Sequence, residues 1–153
     1  MNPTALRGLA GLLALSLWSI TALHAQARGG AEYFPIPGNT GLPFSEAVRA
    51  GNLLFLSGQL GTDADDKLVP GGIQPETRQA LENIRAVLER HGSSLDRVIK
   101  CTAMLADMKE WAAMNEVYVT FFPKHLPARS AFGATGLALG ARMELECIAT
   151  VGS

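Results

Sequence analysis

The run Met143–Thr150, MELECIAT, alternates between apolar and polar or mixed positions. A period of two fits a β-strand, in which successive side chains leave on opposite faces. Met143, Leu145, Cys147 and Ala149 then share one face and read as core. Glu144 and Glu146 share the other. Upstream, PARSAF over 127–132 places Arg129 among small neighbours in a second strand-like run, and a Gly-rich turn over 133–141 joins the two. A cation and carboxylates brought together on one sheet suit a small anionic substrate. The Arg forks onto a carboxylate, and a Glu handles a water proton.

A chain of 153 residues holds one ordinary domain, and 48% hydrophobic residues imply a packed core. The net charge of −1, with no basic stripe, argues against sequence-independent nucleic-acid binding. The N-terminus has the three parts of a secretory signal peptide. Residues 1–7 carry one positive charge, residues 8–23 are uncharged and apolar, and Ala25-Gln26-Ala27 offers a small-x-small cleavage site. An uncleaved anchor is the other reading, since 8–27 is just long enough to span a bilayer. No Cys follows the apolar run, which excludes a lipoprotein. Cleavage after Ala27 leaves 126 residues (153 − 27) with a net charge of 12 − 14 = −2, because only Arg7 is lost. The expectation is a soluble exported protein with no stable membrane association after cleavage, the bacterial periplasm being the first choice of compartment.

The expected organisation is a leader at 1–27, an irregular Gly/Pro-rich arm at 28–41 and a domain at 42–153. Residues 42–49 read as a short strand. Residues 53–57 read as a strand buried on both faces, followed by Gly58 and Gly61, which suit a bulge or close approach by another backbone. Asp63, Asp65 and Asp66 lie in a solvated acidic turn, since Lys67 and Leu68 spoil a calcium loop. A helix is expected over 75–91, opened by Pro75 and stopped by Gly92, with Ala80, Leu81, Ile84, Val87 and Leu88 inward. A strand over 96–106 places Ile99, Cys101, Ala103 and Leu105 on one face. A second helix over 107–122 opens on an Asp107/Glu110 capping box. Its stripe of Trp111, Met114, Tyr118, Phe121 and Phe122 reads as core. This order gives an α+β domain, two helices covering one face of a mixed sheet. The uncovered face holds Lys100, Thr102, Glu144, Glu146 and Ile148, a half-apolar mix that suggests burial against other subunits.

From the residues alone, Arg129 reads equally as a ligand-facing cation or as half of a structural ion pair. For Glu144 and Glu146 the bland reading, interface or edge charge, is the stronger. Cys101 and Cys147 fall on the apolar faces of their strands and read first as free buried thiols. An exported chain could oxidise them if the strands are neighbours. His91 and His125 look isolated. Neither a metal-ligand cluster nor a phosphate-binding glycine pattern is found.

Residues 42–151 resemble the reactive intermediate deaminase (RidA/YjgF) family. The matching stretches are LPFSEAVRAGNLLFLSGQLG, GGIQPETRQALENIRAVLE, NEVYVTFF, PARSAF and ARMELECIA, in the family's order. The resemblance implies a chorismate-mutase-like fold and a homotrimer with ligand clefts between subunits. It implies hydrolysis of 2-imino acids, such as 2-iminopropanoate or 2-iminobutanoate, to 2-oxo acids and ammonia, without cofactor or metal. By motif, Arg129 would clamp the substrate carboxylate and Glu144 would orient or deprotonate water. Ser57, Gly58 and Asn115 would line the pocket, and the Ala131 carbonyl would help hold the water. Two positions depart from the family pattern. Phe44 in LPFS stands where many active members have Tyr, and Ala131 stands where Cys is frequent. A non-catalytic module binding small carboxylates in the same cleft is the alternative. RNA cleavage and a holdase role have been claimed for some relatives; the acidic mature chain argues against RNA.

Overall fold

The computed structural model describes residues 30–38 and 41–152. The leader read at 1–27 lies outside the described residues. Strands β1 (Glu32–Phe34), β2 (Ala47–Ala50), β3 (Leu53–Leu56), β4 (Gln59–Leu60), β5 (Val98–Leu105), β6 (Ala128–Gly133) and β7 (Met143–Thr150) form one mixed sheet. Helices α1 (Ile73–Arg90) and α2 (Trp111–Tyr118) complete the α+β fold. The sheet order is β1-β2-β3-β7-β5-β6, with β4 also on β7. The pair β5–β6 is parallel and is joined through α2, as a parallel pair requires a crossover; the other pairs are antiparallel.

The helical face of the sheet holds the core. Leu54, Leu56, Cys101, Ala103, Leu105, Met143, Leu145, Cys147 and Ala149 are buried there with the inward positions of both helices. All five apolar positions expected on α1 are buried. The helix starts at Ile73, two residues before the expected Pro75, because a proline without N–H is tolerated throughout the first turn. It ends as expected: Gly92 takes φ +75°, its N–H donates to the Glu89 carbonyl, and Ser93 N–H donates to the Leu88 carbonyl. This pattern satisfies the last carbonyls of the helix.

Several expectations are corrected. Part of the segment read as an irregular arm is β1, paired with β2. A knot holds it: the buried Glu46 carboxylate meets Arg90 Nη2 at 3.0 Å and His91 Nε2 at 2.8 Å, and the His91 ring stacks on Phe34 at 4.1 Å. His91 is therefore not isolated. Strand β3 buries one face only, and Phe55 remains 40% exposed on the uncovered side. A bulge between Val98 and Lys100 turns Ile99 outward, 45% exposed, and Val98 takes the core position. The second helix is a short α2 flanked by 3-10 turns. Asp107 caps the 3-10 turn that precedes α2 by accepting from Lys109 N–H at 2.9 Å, but Glu110 pairs with Arg142 instead of closing a capping box. Trp111 is 42% exposed, and Val117 joins the core stripe.

The cysteines are paired, not free. Cys101 on β5 and Cys147 on β7 are directly opposite in register, with Cα atoms 4.1 Å apart, and form a disulfide. Opposed positions on adjacent antiparallel strands bring Cβ atoms within bridging distance. The bridge spans 46 residues of sequence. Replacing both cysteines by alanine is expected to cost about 2–4 kcal/mol, measured by chemical denaturation. The wild-type protein denatured without reductant should yield no titratable thiol; two titratable thiols would contradict the bridge.

Candidate functional site

The sheet presents the sequence-predicted residues as two groups. The first lies around Glu144. Strand β3 pairs with β7 up to Phe55↔Ile148, and β4 resumes at Gln59↔Leu145. Four steps on one side (59 − 55) match three on the other (148 − 145), so Ser57-Gly58 is a bulge, as the glycines suggested. Gly58 faces the Glu144 carboxylate so closely that a Cβ there would overlap Oε1. Ser57 Oγ donates to the Ser45 carbonyl at 2.6 Å and ties the bulge to the residue after Phe44. Its hydroxyl proton is thus used inside the chain. Phe44 is exposed and lines an open cleft with Pro35, Ile36 and Leu42, to which neither Arg129 nor Glu144 contributes.

Two residues that sequence reasoning did not single out, Glu76 and Asn83, set the ends of these strands. The buried Glu76 carboxylate on α1 accepts from Arg142 N–H at 2.8 Å, just before β7 begins. The Asn83 amide donates to the Leu60 and Thr62 carbonyls, each at 3.0 Å, and anchors the end of β4. Gly61 makes the close backbone approach expected of it: it packs on α1, where a Cβ would lie 2.5 Å from Glu76 Cα. Glu76, buried, and Asn83, half-buried, sit on a helix whose apolar periodicity gives no reason to notice its inward polar positions. The Glu144 carboxyl is held above the ordinary carboxylate range, first by burial and second by the charge of Glu146.

The second group lies around Arg129 on the edge strand β6. Its guanidinium carbon sits 4.5 Å from the Tyr118 ring centroid and 6.0 Å from that of Trp111, and Nη1 lies 3.9 Å from Met114 Sδ. All three neighbours belong to α2. Arg129 forms no ion pair with a carboxylate of the described residues, which removes the structural ion-pair reading. Asn115 is on the same helix, and its Oδ1 is buried without a donor from the described residues. Ala131, half-buried, shares the face of Arg129 and packs against the core.

These groups do not converge within one chain. Arg129 is opposite Cys101, and Cys101 is opposite Cys147, so all three leave on the helical face. Glu144 is three residues from Cys147, an odd number, and leaves on the uncovered face with Thr102, Glu146 and Ile148. Register therefore sets Arg129 and Glu144 on opposite faces of the sheet that was expected to carry both.

The comparisons with known proteins agree with the architecture. Residues 39–151 match the family model described as endoribonuclease L-PSP. The chain belongs to this family. Over 111 residues it is 41% identical to the mouse 2-iminobutanoate/2-iminopropanoate deaminase, covering 72% of the chain and 82% of that protein. Over 106 residues it is 46% identical to protein HMF1 of Saccharomyces cerevisiae, covering 69% of the chain and 82% of that protein. Among solved structures, E. coli TdcF with bound serine superposes with TM-score 0.68 at 30% identity, covering 72% of the chain and 90% of TdcF.

The two glycines separate placement from stability. In Gly58→Ala only the end of a flexible side chain must move, so the protein should keep its thermal midpoint. The substitution should displace the Glu144 carboxylate, and turnover of the reaction proposed below should fall about 10- to 100-fold. Gly61→Ala must displace helix backbone and should cost about 1–3 kcal/mol of stability. Equal losses of stability in the two variants would contradict this division.

Proposed function

We propose that the protein hydrolyses 2-imino acids of the iminopropanoate and iminobutanoate class to 2-oxo acids and ammonia. The observation that carries this reading is an Arg129 guanidinium without a carboxylate partner among the described residues, on the strand whose PARS motif the family resemblance assigns to substrate. An arginine with its fork open binds a planar carboxylate through two parallel hydrogen bonds. An iminium carbon is already electrophilic, so the protein must mainly orient it and manage one proton. Glu144, with its raised proton affinity, takes a proton as water adds. The carbinolamine then collapses to the 2-oxo acid as the nitrogen leaves protonated. Asn115 and the Ala131 carbonyl complete the polar lining, and Gly58 leaves space beside Glu144.

Because Arg129 and Glu144 leave opposite faces, we place each site between two copies, Arg129 from one and Glu144 from its neighbour. A homotrimer is the assembly that the family resemblance implies. The name of the mouse relative and the serine bound in TdcF support the substrate class. Phe44 favours a second reading, a small-carboxylate binder without turnover, since no phenol stands there to contact water. The paired cysteines support an oxidising compartment, in keeping with a leader at 1–27 and export to the periplasm.

Imine generated in situ and followed by its disappearance decides between enzyme and binder. Arg129→Ala and Glu144→Gln should each lower kcat/KM by about 100-fold or more. Co-refolding the two inactive variants in equal amounts should restore about a quarter of the wild-type activity, the fraction of sites that draw both intact residues from random neighbours. No restoration would place both residues in one chain. A wild type no faster than buffer leaves the binder.

The acid limb of kcat/KM should lie above the ordinary carboxylate pKa and disappear in Glu144→Gln. The same raised pKa means that the folded state binds more protons than the unfolded chain between the ordinary and the raised value. Stability from this group is therefore present at low pH and lost as pH rises through the folded pKa. Glu144→Gln should thus melt no lower than wild type at neutral pH while losing activity; a lower midpoint would assign Glu144 a structural role.

A further inference from the structure

A carboxylate clamp has a design problem. Its guanidinium must be held in one plane, yet an acidic residue that held it would occupy the fork and cancel the charge. Helix α2 supplies three uncharged neighbours instead. Trp111, Met114 and Tyr118 fall at i, i+3 and i+7, one stripe of the helix, and all approach Arg129. Tyr118 is the closest ring and the most constrained. It is 3% exposed, its ring packs on Phe122 at 4.8 Å, and its face lies 4.5 Å from the guanidinium carbon.

The hydroxyl of Tyr118 does not account for this contact. It is buried and meets no partner among the described residues. Burial pushes its pKa up to about 12 against the opposing pull of Arg129, so it is a neutral phenol and not a phenolate counterion. What remains is the ring face, whose negative quadrupole attracts a cation without using any of its N–H donors.

We infer that Tyr118 is the positioning residue of the Arg129 clamp, acting through its ring face and not through its hydroxyl. This rests on the reading of Arg129 as the group that takes the substrate carboxylate. The ring fixes one face of the guanidinium and leaves the N–H edge directed to ligand. The stripe expected to be pure core thus has two duties: Phe121 and Phe122 fill the interior, and Tyr118 joins that interior to the clamp.

The test uses substitutions that keep the shape of the ring. Tyr118→Phe retains the face and removes the hydroxyl. Pentafluorophenylalanine at position 118 keeps the size and reverses the quadrupole. Three quantities are read for each purified protein: affinity for 2-oxobutanoate by calorimetry, KM and kcat for the 2-imino acid, and kcat/KM for the corresponding imine with its carboxylate blocked as an amide. Tyr118→Phe should remain within about twofold of wild type in all three. The fluorinated ring should weaken 2-oxobutanoate and raise KM by about five- to tenfold, with kcat and the neutral imine little changed. The two proteins should melt together, so a folding defect cannot imitate the result.

Equal affinities for the Phe and fluorinated proteins would overturn the inference. So would a loss shared equally by the neutral imine, which would mark Tyr118 as ordinary packing. If wild type binds 2-oxobutanoate but turns over no imine, the deaminase reading fails while the affinity comparison still decides the role of Tyr118. If wild type binds no carboxylate, both fail.

Discussion

Strand β7 is paired on both edges, to β3 and β4 on one side and to β5 on the other, and its register governs the rest of the molecule. Leu145 is fully buried and Glu144 is its chain neighbour on the opposite face. A slip of one residue would exchange the two sets, moving two carboxylates into the core and four apolar side chains out of it. Three features oppose that slip. The Cys101–Cys147 bridge fixes the pairing with β5, the Ser57-Gly58 bulge fixes that with β3 and β4, and Glu76 holds Arg142 N–H at the entrance of the strand. The candidate base and the hydrophobic core therefore depend on the same constraint.

Much of this was legible in the sequence, and the reason is periodicity. β7 was readable to its end residues because Met143, Leu145, Cys147 and Ala149 recur at every second position. The inward face of α1 was readable because five apolar positions recur at helical spacing. What periodicity carries poorly is an irregularity. The bulge at Ile99 breaks the alternation of β5 by one residue, and nothing in VIKCTAML announces it. Trp111 satisfied the helical stripe yet lies at the end of the helix beyond the core, because a residue in the first turn can share a stripe without being covered. The disulfide needed knowledge of which strands are neighbours, a property of topology and not of local sequence. Arg129 and Glu144 were singled out by motif as candidates; their opposite directions required the register of β6 on β5 and of β5 on β7.

An arginine without a carboxylate partner among the described residues is electrostatically tolerable here for reasons visible in the surroundings. The side chain is half-exposed on an edge strand, so water still solvates part of the charge. The aromatic and thioether neighbours are polarisable and demand no hydrogen bond in return. A buried carboxylate in place of Tyr118 would hold the guanidinium more strongly and leave it less able to exchange that partner for a ligand. Glu144 shows the complementary arrangement. Partial burial and the nearby Glu146 charge both favour its protonated form, so its environment makes it a better proton acceptor than an exposed surface carboxylate.

The division of the two groups between faces has a further physical consequence for the proposed reaction. Each half-site is open to solvent when the chain is alone, and each is bordered by exposed apolar side chains, Phe44 near the Ser57 bulge and Trp111 beside Arg129. Bringing two copies together would cover such borders and remove water from between them. A cation facing a carboxylate substrate gains most when the surrounding dielectric falls, and a general base is most useful where only the reacting water remains. Assembly would then do more than place Arg129 opposite Glu144. It would create the low-dielectric space in which an aromatic-supported arginine can discriminate a carboxylate, which neither face can provide while exposed to bulk water.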